Sequence, residues 1–439
     1  MSSKRILLTS LRLLAVAAAI TIAGCGGSNN SNNGNASMRI VNAFSQATAL
    51  DVAVNNNTIV SALPFQGVTQ YKDVDSGTQT FAVTVTGATT ALINTSNSTN
   101  SNSKYSYIIY GPKTAAGAVL VSDDYSSPPD GYFSLRFINV AAGPGPLDVY
   151  LTAPGADITS SAPSVTTVNY SLASAYVNVG IGKLFEVRVT PSGTKDVVYD
   201  STVSQTFAEH SATDIIAFSK GSGKLVNIAV MNHDDAGTGK IVESNIAQYK
   251  VANASLASSS LNIFVDGNLQ LSNIPYTGVS NYLRTTAGQH TFKVEATATP
   301  GATQLTLVST LGTATDTSIA LTGPDGALGA AVLNDVNLPP PASNAGVRFV
   351  NVSADVASFD VFINFSKQVS ALGSNTASDY ISLLATASTG TAYEFDFNQA
   401  GSTTSLLKMT NVLLTSGHNY TIYVSGHGTS LKGTVSQDT

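Results

Sequence analysis

Apolar and polar residues alternate along short segments over most of the chain, a pattern typical of β-strands with one buried face. In the first clear segment, Phe81, Val83 and Val85 lie on one face, and Ala82 and Thr84 lie on the other. Segments with the same alternation begin at Phe185, Phe292 and Tyr393. A glycine stands three or four residues before each segment, as a tight turn requires. The alternation therefore predicts an all-β protein.

One longer pattern occurs four times. A basic residue lies in a short apolar strand that ends in asparagine: Arg39 to Asn42, Arg136 to Asn139, Lys250 to Asn253 and Arg348 to Asn351. A second strand begins twelve residues after each basic residue, at Asp51, Asp148, Asn262 and Asp360. A tyrosine follows the basic residue by 32 positions in three copies and by 40 in the second: Tyr71, Tyr282, Tyr380 and Tyr176. The chain is therefore an array of four similar units of about 100 residues.

Each unit contains six to eight predicted strands with Gly, Asn and Ser turns between them. This pattern predicts four tandem immunoglobulin-like β-sandwich domains. The chain has no Trp and a single Cys, so the Cys–Trp–Cys core of antibody domains is excluded. A β-propeller is disfavoured because its blades are only about 40–50 residues long.

Proline and glycine mark the joins between units. We predict β-sandwich units at residues 38–126, 132–236, 245–337 and 345–439. The proline-bearing segments 126–131 and 339–341 separate the first two and the last two units, and proline runs are stiff. The join at 234–239 carries glycine and is expected to flex more.

Residues 1–24 are predicted to be a lipoprotein signal peptide. Lys4, Arg5 and Arg12 form a basic start, and residues 13–22 form a short apolar core. This core is about half the length that a membrane-spanning helix needs. It ends in Ile-Ala-Gly-Cys at Cys25, the only cysteine, which resembles a bacterial lipobox.

We therefore expect Cys25 to carry the lipid, and residues 25–37 to form the lipidated cysteine and a disordered Asn/Ser/Gly tether. Gly26 follows the cysteine, which in lipobox proteins favours the outer membrane. The expected location is the cell envelope, on its periplasmic or its exposed side. The alternative is an ordinary secreted protein with a stray cysteine near the cleavage site.

Charge limits the possible partners. Only 11% of residues are charged, with 21 basic against 27 acidic side chains. No basic stripe is present that could neutralise phosphates, so nucleic acid is not an expected partner.

The repeated unit resembles a known bacterial family, domain of unknown function 4397. The resemblance rests on the first strand at Arg39, the second at Asp51, the segment 63–71 (LPFQGVTQY) and the strand at Phe81. Segment 274–282 (IPYTGVSNY) repeats the middle stretch in the third unit. The resemblance implies a β-sandwich outside the cytoplasm, often in tandem and lipid-anchored. It implies no activity and transfers no functional residues.

Candidate chemistry is sparse, and we expect neither an enzyme nor a cofactor. The five histidines occupy a different position in each unit. Acidic residues close the units, at Asp123-Asp124, His233 to Asp235, Asn334-Asp335 and Gln437-Asp438. A calcium site at these joins is conceivable, but a polar turn is the favoured interpretation, so no metal is predicted.

The repeated positions suggest structural roles. The asparagines Asn42, Asn139, Asn253 and Asn351 are expected to hydrogen-bond nearby backbone. A salt bridge between Arg39 and Asp51 is possible from their joint change to Lys250 and Asn262 in the third unit. The hairpin geometry argues against it, because the two strand starts would lie at opposite ends. No polar constellation is expected to recur with these positions.

The sequence therefore favours a lipid-anchored, non-catalytic binding or adhesion module for a glycan or another envelope protein. The alternative is a structural spacer without a specific ligand, and an enzyme is a remote third possibility. The second unit is longer than the others, and its inserted loop near residues 152–163 is a candidate binding position.

Overall fold

The computed structural model describes residues 34–439, except residues 183, 202, 235, 236, 238, 258 and 324–326. The predicted signal peptide, Cys25 and most of the tether lie outside the described residues. Among the described residues, no helix is both long and apolar enough to cross a membrane. Residues 34–439 form one compact unit that contains 35 β-strands and two short 3-10 helices.

The strands fall into four groups, which we call repeats 1 to 4. Repeat 1 contains β1 (Asn35–Asn42), β2 (Ala49–Val54), β3 (Asn57–Pro64), β4 (Lys72–Asp75), β5 (Gly77–Val85), β6 (Ala91–Thr99), β7 (Lys104–Tyr110), a 3-10 helix (Lys113–Ala115) and β8 (Gly117–Ser122). Repeat 2 contains β9 (Tyr132–Asn139), β10 (Leu147–Thr152), a 3-10 helix (Ile158–Ser160), β11 (Val165–Val168), β12 (Leu172–Ala173), β13 (Val177–Gly180), β14 (Glu186–Pro191), β15 (Tyr199–Asp200), β16 (Ala212–Phe218), β17 (Asn227–Asn232) and β18 (Gly239–Val242).

Repeats 3 and 4 follow the same plan. Repeat 3 contains β19 (Ile246–Asn253), β20 (Ser260–Val265), β21 (Asn268–Pro275), β22 (Leu283–Thr286), β23 (Gly288–Ala296), β24 (Thr303–Leu311), β25 (Asp316–Thr322) and β26 (Gly329–Asp335). Repeat 4 contains β27 (Asn344–Asn351), β28 (Ser358–Ile363), β29 (Ser366–Gly373), β30 (Thr376–Ala377), β31 (Ile381–Leu384), β32 (Thr391–Gln399), β33 (Ser405–Leu414), β34 (Asn419–Ser425) and β35 (Lys432–Gln437).

Each repeat is a sandwich of two sheets, which confirms the predicted immunoglobulin-like β-sandwich architecture. In repeat 1 the first-strand sheet has the order β4-β1-β7-β8, and the hairpin sheet has the order β3-β2-β5-β6. The first strand pairs with β7 in parallel, whereas the other pairs are antiparallel. The corresponding parallel pairs are β9 with β16, β19 with β25, and β27 with β34. Apolar residues between the two sheets, such as stacked Phe81 and Tyr107, form the core of the repeat.

The first-strand sheets are buried on both faces. In β1, Met38 and Ile40 point into the sandwich core of repeat 1, whereas Val41 belongs to a cluster shared with repeat 2. That cluster joins Val41, Ile108, Tyr110 and Val121 of repeat 1 to Ile138, Ile216, Phe218, Ala229 and Met231 of repeat 2. A second cluster joins Ala252, Ala320, Ala331 and Leu333 of repeat 3 to Val350, Val352 and Tyr423 of repeat 4. The sandwiches therefore pack as two pairs, 1 with 2 and 3 with 4.

The repeated asparagines hydrogen-bond nearby backbone, as predicted, and they also link the two sheets of each sandwich. Asn42 is fully buried; its Nδ2 donates to the carbonyl of Leu63 on β3, and its Oδ1 accepts from the Phe44 amide. The other three copies make the same pair of bonds, from Asn139, Asn253 and Asn351. Because a buried amide without partners is costly, each copy needs an asparagine at this point.

The residue predicted to begin each second strand lies at the second or third position of that strand and supports a bulge instead of a salt bridge. Asp51 Oδ1 accepts from the amide of Ala62, which has a φ of 49°. The same bond holds Thr167, Asn273 and Ala371, whose φ angles are 52°, 55° and 50°. These left-handed conformations are unfavourable for residues other than glycine, so the acceptor is needed. The open question of an Arg39–Asp51 pair is thereby settled, because Asp51 faces Ala62.

Repeat 2 differs from the other repeats in two places. Its first-strand sheet continues to β18, which pairs with β17 beyond the predicted end at residue 236. Its inserted loop is fixed to the sandwich: the Arg188 guanidinium donates to the Ala156 carbonyl at 2.8 Å, and Lys195 Nζ donates to the Ser161 carbonyl at 2.5 Å.

Candidate functional site

The four repeated cations lie at the centres of the two interfaces between sandwiches. Arg39 and Arg136 are 0% and 6% exposed, and Lys250 and Arg348 are 1% and 2% exposed. They occupy the outward faces of β1, β9, β19 and β27, because alternate residues of those strands fill the sandwich cores. A buried cation is tolerated only where carboxylates and hydrogen-bond acceptors meet it.

Between repeats 1 and 2 the acceptors are Asp123 and Asp214. Arg136 binds Asp214 in a bidentate manner, from Nε to Oδ1 at 2.8 Å and from Nη2 to Oδ2 at 2.6 Å. The same Nη2 lies 3.0 Å from Oδ1 of Asp123, and Arg39 Nη2 lies 3.3 Å from Oδ2 of Asp123. Ser106 bridges Arg39 and Asp123, because its Oγ accepts from Arg39 Nε and donates to Asp123, both at 2.6 Å. We call this set the first ion cluster.

The two arginines also reach across the interface reciprocally. Arg39 of repeat 1 donates from Nη1 to the carbonyl of Asn232 in repeat 2 at 2.7 Å. Arg136 of repeat 2 donates from Nη1 to the carbonyl of Ser122 in repeat 1 at 2.5 Å. The interface thus has an approximate two-fold arrangement in which the corresponding strands β8 and β17 each accept a hydrogen bond from the neighbour's arginine.

The second ion cluster, between repeats 3 and 4, has the same plan. Lys250 pairs with Asp438, and Arg348 Nη2 lies 2.5 Å from Asp335 Oδ1, so each cation takes its carboxylate from the other repeat. Arg348 Nε donates to Thr421 Oγ1 at 2.7 Å, and Thr421 Oγ1 donates to Asp438 at 2.6 Å. Ser106, Asp214, Ser318 and Thr421 occupy corresponding positions, as do Asp123, His233, Asp335 and Asp438. Repeat 2 therefore carries its aspartate on β16, at the position of Ser106, and a histidine after β17, at the position of Asp123.

The repeated tyrosines lie over these cations. Ring centroids of Tyr71, Tyr176, Tyr282 and Tyr380 are 5.1, 4.7, 5.0 and 5.1 Å from the charged groups of Arg39, Arg136, Lys250 and Arg348. Such cation–π contacts gain strength when water is excluded. Burial raises the pKa of Tyr380 well above its usual value, so its hydroxyl stays protonated and donates to Asp438 at 2.7 Å. The polar constellation that the sequence was expected to lack therefore recurs in all four repeats.

A possible metal-ligand group lies within the first ion cluster. Asp123, Asp214 and His233 each offer one ligand atom, and these atoms lie within 4.8 Å of one another. The carboxylates, however, already contact the guanidinium groups of Arg39 and Arg136. A divalent cation at this point would face two positive charges. The geometry therefore describes an ion-pair cluster that joins two domains.

His233 completes the first cluster from repeat 2. Its Nδ1 lies 2.8 Å from the Asp123 carbonyl, and its Nε2 lies 3.2 Å from Asp214 Oδ2. Although burial alone would raise the pKa of Asp214, Arg136 and His233 hold it at about 2. Asp214 is thus ionised in the folded protein over the whole neutral range.

The structure defines a class of protein: tandem β-sandwiches joined in pairs by buried ion clusters. Residues 36–150, 247–362 and 345–439 match the family described as domain of unknown function (DUF4397). These matches cover more than half of the chain, and the protein belongs to this family. The match 36–150 extends beyond repeat 1 through β9 and most of β10, so it includes both arginines of the first ion cluster.

Solved structures of other proteins show weaker likenesses. The Bacillus anthracis TIE protein matches 87% of this chain and 69% of its own, at 11% identity and a TM-score of 0.15. The CBMbc module (family CBM26) of Eubacterium rectale Amy13K, solved in complex with maltoheptaose, matches 42% of this chain and 92% of its own, at 12% identity and a TM-score of 0.15. Neither likeness bears on function at these scores. A search of curated proteins found no match.

Removal of one cation should destabilise the first pair strongly. Arg136→Met leaves Asp214 buried without its bidentate partner, and we expect a loss of about 3–5 kcal/mol in the free energy of unfolding, measured by urea denaturation. The exposed pair Arg284–Asp196 gives a control, since Arg284→Met should cost under about 1 kcal/mol. The double variant Arg136→Met, Asp214→Leu should recover part of the loss. Equal costs for Arg136→Met and Arg284→Met would contradict the role of the cluster.

Acid should weaken the same cluster. Because the pKa of Asp214 in the folded protein is about 2, below its value in the unfolded chain, ionised Asp214 stabilises the fold above about pH 4. We expect this contribution, about 2 kcal/mol, to disappear as the pH falls through about 2. Asp214→Asn should therefore be less stable than the wild type at neutral pH, and the gap should close in acid. The exposed Asp130 provides the control Asp130→Asn, and a gap that is independent of pH would show the assignment to be wrong.

Proposed function

We propose that this protein is a non-catalytic binding protein of the cell envelope, anchored by a lipid on Cys25. Its four sandwiches serve as a rigid support, and its ligands bind in clefts beside the repeated tyrosines. The observation that supports this proposal best is that such a cleft recurs at the same place in repeats 2, 3 and 4 while its walls change.

The three clefts have similar size. Their volumes are about 570 Å³ beside Tyr176, about 530 Å³ beside Tyr282 and about 530 Å³ beside Tyr380. These values fall within the usual range for ligand pockets. Each cleft is lined by its tyrosine, and members of the second ion cluster also line two of them: Lys250 and Asp438 in the cleft of repeat 3, and Arg348 in that of repeat 4.

The walls come from corresponding positions with different residues. One wall is the residue two positions after the tyrosine: Asn178, Arg284 or Ser382. The opposite wall is the residue two positions before the cation: Ser134, Gln248 or Gly346. A constant floor with variable walls is the arrangement expected when one scaffold presents several binding specificities.

The cleft of repeat 3 is the most polar. Gln248, Ser280 and Asn281 line it together with exposed Lys224 and the Arg284–Asp196 ion pair. Amide, hydroxyl and guanidinium groups together suit a ligand rich in hydroxyl groups. This chemistry supports a glycan of the envelope as the ligand, with a polar segment of another envelope protein as the second possibility.

Contacts beyond the pairs count against the spacer alternative. Lys220 in repeat 2 donates to Thr313 of repeat 3 at 2.8 Å, and the Asn337 amide at the end of the third unit donates to the Gly221 carbonyl at 2.7 Å. Repeat 2 also approaches repeat 4, because a Cβ added to Gly223 would lie 2.6 Å from Cγ2 of Thr439. A stalk of sandwiches in line would restrict contacts to sequential neighbours.

Binding can be tested with the mature full-length chain on a glycan array and in pull-downs from solubilised envelope. Asn178→Leu and Ser382→Leu each place a larger apolar side chain in one cleft, and Arg284→Leu removes the guanidinium group from the third; all three residues are exposed. We expect one or more of these variants to bind its partner at least about tenfold more weakly, a loss of about 1.4 kcal/mol. Thr286→Leu, on the same strand as Arg284 but outside the cleft, should bind like the wild type. Two results would refute binding in the clefts. One is the absence of any partner at micromolar concentration, and the other is binding by all three variants that equals binding by the wild type.

The anchor has a separate test. Cys25→Ser removes the thiol that would carry the lipid, so we expect the protein to move from the membrane fraction to the soluble fraction, detected by immunoblotting after fractionation. Ser28→Ala, in the same segment, is the matched control and should stay with the membrane. A Cys25→Ser protein that still sediments with membranes would disprove anchoring at this residue.

A further inference from the structure

The hairpin between β28 and β29 ends in an exposed aromatic residue with an unfavourable backbone. Phe365 has a φ of 69° and is 80% exposed, and Asn364 before it has a φ of 45°. Both central residues are thus left-handed, as a two-residue type I′ hairpin requires. Asparagine and glycine suit these positions, whereas a large side chain is strained there.

The corresponding hairpins provide an internal comparison. In repeat 1 the two residues are Asn55 and Asn56, with φ angles of 49° and 64°, and in repeat 3 they are Asp266 and Gly267, with 49° and 83°. The first residue acts alike in all three: Asn55, Asp266 and Asn364 each accept from an amide on the neighbouring strand, at 2.9, 2.9 and 3.0 Å. The second position is therefore where repeat 4 departs from a turn that folds well without phenylalanine.

The surroundings of Phe365 do not account for it as part of the core. Its one described partner among charged groups is Lys408, whose Nζ lies 5.3 Å from the ring centroid and 2.7 Å from Glu394 Oε1. One face of the ring thus meets a cation held by a carboxylate. The high exposure of the side chain leaves the rest of the ring open to solvent.

The hairpin tip is connected to the cleft of repeat 4. Glu394 and Asn364 exchange hydrogen bonds at 3.0 Å. The neighbouring Tyr393 donates from its hydroxyl to the Leu384 carbonyl at 2.6 Å. Leu384 is 73% exposed and lies on the same face of β31 as Ser382, a wall of the cleft. Hydrogen bonds through consecutive residues Tyr393 and Glu394 therefore link the strand that forms the cleft wall to the hairpin tip.

We propose that Phe365 is a stacking platform for the apolar face of a saccharide ring. This inference rests on the proposed binding function and names its ligand class. The negative π face of an aromatic ring attracts the weakly positive C–H groups of a pyranose. Lys408, Glu394 and Asn364 stand beside the ring and supply partners for the hydroxyl groups at the edge of the sugar.

The polar neighbours decide between a saccharide and an apolar partner. A lipid bilayer or an apolar peptide that covered Phe365 would also cover the Lys408–Glu394 pair, whose charges would lose water without gaining new partners. A sugar replaces that water with hydroxyl groups. Nucleobases, which also stack on aromatic rings, are disfavoured by the net charge of −6.

The test separates folding from binding. The full mature chain is applied to an array of neutral hexose and N-acetylhexosamine oligosaccharides, alongside Phe365→Gly, which installs the residue found at Gly267. We expect Phe365→Gly to unfold at the same or a higher temperature, because glycine relieves the strain, and to bind at least about tenfold more weakly, as truncation of an aromatic anchor does. Phe365→Trp should retain binding. Phe365→Asn, which copies Asn56, serves as a second variant if glycine makes the hairpin too flexible.

Two results would overturn the proposal. In the first, the wild type binds a glycan on the array, and Phe365→Gly and Phe365→Asn bind it as tightly as the wild type does. Binding in the clefts would then remain supported, but the role of Phe365 would be refuted. The other is binding to phosphatidylethanolamine–phosphatidylglycerol vesicles that depends on Phe365, which would assign the tip to a membrane. If the wild type binds no glycan at all, the platform is refuted, whereas the binding function is refuted only if the envelope pull-down also captures no partner.

Discussion

The burial of a cation on the outer face of each first strand is the constraint on which the arrangement of the repeats depends. A guanidinium or ammonium group inside an apolar interface is stable only with a carboxylate beside it. In the second ion cluster, each cation receives that carboxylate from the other repeat. A single sandwich of this pair would therefore leave its cation without that carboxylate, and a single sandwich of either pair would leave its apolar outer face in water. The structural unit is therefore the pair of sandwiches.

In the first ion cluster the charges balance even though one aspartate occupies a different position from its counterparts. In repeat 2, Asp214 takes the place of a serine or threonine, and His233 takes the place of the terminal aspartate. Each cluster nevertheless contains two of the repeated cations and two aspartates that pair with them. Arg136 gains a bidentate partner from its own repeat, while Asp123 is shared between Arg39 and Arg136. The exchange gives the two pairs different internal chemistry on one scaffold.

Local patterns in the sequence predict local structure well. Alternation at Phe81 to Val85 predicts β5, and the regular spacing of Asn42 and its equivalents predicts a buried backbone contact that the structure confirms. Such reasoning does not predict the ion clusters, because Arg39 and Asp123 are far apart in sequence and meet only when β7 lies between β1 and β8. Arg136 then joins them only when the next repeat docks. One signal was available: an arginine in the middle of an otherwise apolar strand must have a buried partner. The strand β18 was missed because Gly237 and Gly239 suggest a flexible join, whereas Gly239 starts a strand.

The pairing of first-strand sheets also sets an order of events during synthesis. Repeat 1 is synthesised before repeat 2, so Val41, Ile108 and Tyr110 first face solvent around an Arg39 that has only Asp123 of its own repeat as a carboxylate partner. That surface is adhesive until repeat 2 folds and covers it, and the same interval recurs between repeats 3 and 4. Domains that follow one another closely fold in the order of synthesis, so the short proline-bearing connections at 126–131 and 339–341 reduce the time for which each adhesive face is open. A nascent chain that ends within repeat 2 or repeat 4 therefore exposes an adhesive face.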